Sequence, residues 1–140
     1  MKWENTLMAY KEDIKNRGFW DWLKAHTSFM KPLHRYKGTI ELEKERMIFN
    51  GRDAKEDKNF VLEIPIKDVT DIYLGCDRVF RRREDRQTGI RGFVPLRITY
   101  KSQEGEEVMY LFASFHHSKY GWRTSDNKEA YEKIKSFLGK

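Results

Sequence analysis

The chain contains a single cysteine in 140 residues, Cys76, so it can close no intramolecular disulfide and build no multi-thiolate metal site. That scarcity suits a reducing compartment, and the expected location is the cytoplasm, with the membrane surface as a further address. No apolar run approaches the ~18 residues that span a bilayer. The stretch from Met1 to Asp13 carries acidic residues where a secretory signal needs an apolar centre. Also missing are a glycine-rich phosphate loop, a nucleophile elbow and a His-Glu zinc motif, so no enzyme and no cofactor is expected. His116 and His117 are adjacent, but neighbours on a strand face opposite ways and serve one metal poorly. Zinc-finger spacing and other nucleic-acid signatures are absent too, which argues against DNA or RNA as partner.

Charge and aromatic rings are abundant instead. Charged residues make up 36% of the chain, well above the usual ~25%, so the surface must be densely charged. The net charge is +6, a balance that favours anionic partners. At 39% hydrophobic and 14% aromatic the chain can furnish one core, and its length suits one domain of roughly 100–150 residues.

The apolar period divides the chain in two. Up to Lys37, Trp3, Leu7, Tyr10 and Ile14 recur three or four apart, which predicts an amphipathic helix. Phe19, Trp22, Leu23 and His26 repeat that spacing before Pro32. Residues 1–37 therefore read as a helical N-terminal extension and 38–140 as the main domain. From Gly38 the period falls to two. Strands are expected at 39–43, 46–50, 60–64, 69–74, near 78–82, at 96–101 and at 107–114, with Asn50-Gly51 as a turn leading into a charged loop. A final helix starts at Asp126, with Glu129 placed for a capping box. The fold class is mainly β, with a core of Ile40, Leu42, Phe49, Leu62, Ile64, Leu74, Leu96, Ile98, Tyr110 and Phe112. Tyr131, Ile134, Phe137 and Leu138 of the final helix would seal it.

Three passages carry a family resemblance: Gly38-Thr39-Ile40-Glu41-Leu42 followed by Arg46-Met47-Ile48-Phe49, then Ile64 through Ile72, and the helix from Asp126 to Leu138. Together they resemble the pleckstrin-homology (PH) superfold, especially its GRAM and bacterial branches. The resemblance implies a small bent β-barrel of about seven antiparallel strands, capped by the C-terminal helix. It also implies a binding module rather than a catalyst. Phosphoinositide-binding members cluster basic residues around the first hairpin loop. At that place this chain offers Lys44 and Arg46 beside Glu43 and Glu45, and those carboxylates oppose an anion.

Two segments stand out as candidate contact regions. Arg78, Arg81, Arg82, Arg83, Arg86 and Arg91 lie between Cys76 and Gly92. Guanidinium groups grip phosphate or carboxylate through paired hydrogen bonds, so these six, with Lys44 and Arg46, form the candidate anion or partner site. The competing reading is an ordinary solvated hairpin. Phe19, Trp20, Trp22, Leu23, Phe29 and Met30 lie among basic residues and form the candidate interface or membrane-contact set. Packing or self-association outweighs membrane insertion here, because a membrane-surface helix presents a cleaner polar face. The leading expectation is protein–protein interaction, including a homo-oligomer. The alternative is peripheral attachment to anionic lipid through the arginine segment and the aromatic region.

Overall fold

A computed structural model describes residues 1–15, 34–75, 77, 94–117 and 123–139. In chain order they form β1 (Lys2–Tyr10), α1 (Lys11–Lys15), β2 (Tyr36–Leu42), β3 (Arg46–Asp53), β4 (Lys58–Pro65), a 3-10 turn (Ile66–Asp68) and β5 (Val69–Leu74). There follow β6 (Leu96–Ser102), β7 (Gly105–Phe112), the short pair β8 (His116–His117) and β9 (Arg123–Thr124), and α2 (Asn127–Phe137). Strands β1 to β7 make one antiparallel sheet in the order β4-β3-β2-β1-β7-β6-β5. The mainly β class and the C-terminal helix follow the sequence reading.

Residues 2–10 are not the expected helix. They form β1, the middle strand of the sheet, paired to β2 on one side and β7 on the other. A bulge between Trp3 and Thr6, with Asn5 in the left-handed region at φ 53°, shifts the strand's phase. Trp3 and Met8 then enter one core while Leu7 and Ala9 enter another on the opposite face. The spacing that suggests one helical face belongs to a strand buried on both sides. The second expected helix, around Phe19 to His26, lies outside the described residues, as does the strand expected near 78–82.

The sheet is strongly curled. Laid flat, seven strands spaced about 4.8 Å apart would separate β4 from β5 by roughly 29 Å. Yet only Ile66–Asp68 joins them, a connection that reaches at most about 14 Å. The outer strands must therefore bend toward each other. They do not close the expected barrel, since among the described residues no ladder links β4 to β5. A slot of about 500 Å³ remains beside them, with Leu62 and Ile64 on one wall and Tyr100 and Lys101 on the other.

The main core lies inside this curl and contains Ile40, Leu42, Phe49, Ile64, Leu96 and Ile98, with Leu62, Leu74, Tyr131 and Leu138 packed at its margin. Tyr110 and Phe112 are buried on the other face, with Leu7, Ala9, Ile14 and Phe115, whereas Met109 and Leu111 point into the main core. The run from Val108 to Ala113 is apolar throughout, and such a run does not declare its inner face.

Asn50-Gly51 is not a turn either. β3 continues through it to Asp53, whose Oδ1 accepts the backbone N–H groups of Lys55 and Glu56 and so sets the turn further on. Gly51 stands opposite Gly38, and a Cβ added at Gly51 would come 2.2 Å from the Lys37 carbonyl oxygen. This glycine is needed for close approach of two strands rather than for a bend.

Helix α2 rests Ala130 and Ile134 on the main core. Its first residue, Asn127, is wholly buried, with Oδ1 accepting the Ala113 N–H and Nδ2 donating to the Val94 and Leu111 carbonyls. The expected capping box is absent: Asp126 makes no side-chain cap bond, and Glu129 instead accepts the Trp3 indole N–H at 3.0 Å. Phe137, expected to seal the core, is 41% exposed.

Candidate functional site

A groove of about 750 Å³ forms where three pieces of chain meet at one corner of the sheet. The first is the β2–β3 loop, pulled tight by the Glu43 N–H donating to the Arg46 carbonyl. The second is the end of β4 with the 3-10 turn. Pro65 has no N–H to continue a ladder, and the Ile66 N–H donates to the Glu45 carbonyl, pinning this corner to the loop. The Val69 N–H closes the turn on the Ile66 carbonyl. The third is the end of α2, where Leu138 donates to Ile134 and Gly139, at φ +73°, donates to Ser136. Only glycine takes that left-handed backbone readily, so the helix stops there.

Apolar groups from Pro65, Ile66, Val69, Phe137 and Leu138 line the groove, and Lys44, Glu45, Arg46, Glu63 and Lys67 add charge to it. Ile66 and Val69 are nearly covered while Phe137 stands out toward solvent. The charges are unequal in availability. Arg46 donates from Nε to Glu43 at 2.9 Å and from Nη1 to Glu63 at 3.0 Å. These two hydrogen-bonded carboxylates push its pKa further up, so Arg46 is already engaged with anions of its own chain. Lys44 and Lys67 form no ion pair among the described residues.

The groove's described residues include no histidine, cysteine or hydroxyl nucleophile, and no cluster of metal-ligating side chains occurs among the described residues. What this lining can do is seat an apolar side chain and meet a carboxylate with an ammonium group.

Of the sequence-derived candidates, Lys44 and Arg46 come together here. Arg78, Arg81, Arg82, Arg83, Arg86 and Arg91 lie outside the described residues, as do Phe19, Trp20, Trp22, Leu23, Phe29 and Met30. The anchor points of those two segments are described. Arg35, just after the aromatic segment, donates from Nε and Nη2 to both oxygens of Asp53 and from Nη1 to Asp13 of α1. Burial alone would raise the Asp53 pKa, but the Arg35 bonds and the two backbone N–H groups outweigh it and hold the carboxyl below its usual range. Beside the arginine segment, Asp77 accepts from Arg97 at 3.1 Å and from the Tyr110 hydroxyl at 2.8 Å.

The sequence alone does not single out Lys67 or Phe137 as site residues. Phe137 reads as one more member of the helical stripe, and Lys67 as an ordinary corner lysine. Only the meeting of Pro65, Ile66 and the helix end gives either a role. The sequence matches no protein-family model and no curated protein.

Proposed function

We propose that the chain is a non-catalytic binding module of the PH/GRAM-like kind, working in the cytoplasm, whose ligand is a segment of a protein partner. The observation that carries this reading is Phe137, exposed at the end of α2 beside the apolar groups of Pro65, Ile66, Val69 and Leu138. A partner's apolar side chain covers this patch, and its carboxylates meet Lys44 and Lys67. Desolvated aromatic anchors of this kind supply most of the energy of small interfaces. The strand order with its closing helix, and the short connection that bends β4 toward β5, support the PH-like part of the reading.

The test is fluorescence anisotropy with a labelled peptide in which leucine alternates with glutamate, against a control that has lysine in place of glutamate. The acidic peptide is expected to bind, and Phe137→Ala to weaken it about tenfold or more. Equal binding of both peptides, or of neither, contradicts the reading. Vesicles of neutral and acidic lipid form a second arm. Pelleting with acidic vesicles that is lost at high salt, without peptide binding, transfers the groove to the alternative of anionic membrane attachment.

A further inference from the structure

We propose that the free edge of β4 pairs with β4 of a second copy of this chain, antiparallel, about a two-fold axis at Val61. This contact is separate from the groove. β4 and β5 are the two edges of the sheet, and α2 packs against β5, so among the described residues β4 is the edge without cover. An open edge is a row of unused hydrogen-bonding groups, and proteins usually blunt it with charge, proline or a bulge. In β4 such devices sit toward the ends: Lys58 opens the strand, Glu63 lies near its close and Pro65 ends it. Between them the outward residue is Val61, 64% exposed. Toward the end of the strand, the slot beside Leu62 and Ile64 separates this edge from Tyr100 and Lys101.

The residues select the register. With Val61 opposite its own copy, two valines pack together, Phe60 faces Leu62 of the second copy, and Glu63 faces Asn59. Glu63 and Arg52 already have partners within their own copy, Arg46 at 3.0 Å and Asp57 at 2.8 Å, so this register brings no uncompensated charge to the contact. Centring the axis on Glu63 would oppose two carboxylates, which is destabilising. Centring it on Asn59 would set Val61 against Asp57. Of these three registers, the Val61 one joins apolar to apolar without opposing like charges. A contact of one strand per copy falls below the roughly 800 Å² per partner of a stable complex, so the dimer is a weak one.

Sedimentation velocity between about 5 µM and about 500 µM brackets such an affinity. The wild-type chain is expected to sediment faster as concentration rises. Val61→Lys, which opposes two ammonium groups, is expected to stay monomeric throughout. A second variant leaves charge unaltered: Val61→Cys with Cys76→Ser should form a symmetric disulfide under mild oxidation, since opposed residues of antiparallel strands lie within bridging distance. Asn50→Cys in the same background, on the inner strand β3, should not. A monomer at every concentration, self-association of Val61→Lys equal to wild type, or equal cross-linking at positions 50 and 61 each overturn the proposal.

Discussion

The Arg35–Asp53 pair is the clearest case of a residue whose partners decide its role. The Asp53 side chain is 3% exposed and that of Arg35 18%, and both Asp53 oxygens accept from the guanidinium. Breaking one side of a buried pair strands the other charge, at a cost of about 3 kcal/mol. Asp53→Asn is expected to lower the urea midpoint by a corresponding amount. The acid limb carries the same signature. Because the folded-state pKa is depressed, this contribution is present above the unfolded value of about 3.9 and is lost as pH falls through the folded one. Wild-type stability should thus decline on acidification more steeply than that of Asp53→Asn, which denaturant titrations at several acidic pH values check. Neither residue announces this in the sequence, because the partners lie 18 positions apart and meet only through β2–β3 pairing.

Elements differ in how readable they are according to how many of their faces are buried. β2, β5 and β6, with the helix α2, are legible because an apolar set alternates or recurs against polar neighbours. β1 is not, because Trp3 and Met8 serve one core while Leu7 and Ala9 serve the other, and the bulge at Asn5 breaks the period of two. Hydrogen exchange should separate the elements: amides of β1 from Leu7 to Ala9 are expected among the slowest, and those of β4 among the fastest of the sheet. Equal protection of the two strands would contradict this strand order. The Gly38–Gly51 crossing is equally specific. Gly51→Ala drives a methyl into the backbone of β2 and should destabilise the chain by about 3 kcal/mol in urea unfolding, as overpacking does. The sequence suggests a turn at Asn50-Gly51, since that dipeptide serves hairpins so often. Its second use, close strand approach, depends on a glycine 13 positions earlier.

At the scale of the whole molecule, the curl of the sheet creates both candidate surfaces. It brings the end of β4, the 3-10 turn and the end of α2 together at the groove, and it leaves the β4 edge beside an open slot. Lys44 and Arg46 are visible in the sequence as loop cations. That Arg46 is held by Glu43 and Glu63 is half visible, through Glu43 alone, because Glu63 arrives from the next strand. Lys67 and Phe137 become candidates only once residues 70 positions apart adjoin. Binding of a partner at this corner is a proposal that amide NMR of the full chain, titrated with the leucine–glutamate peptide, can decide. Saturable shifts confined to residues 44–46, 63–69 and 134–139 are expected, lost in Phe137→Ala and weakened in Lys67→Glu. Shifts that map elsewhere, or that survive Phe137→Ala unchanged, would contradict it.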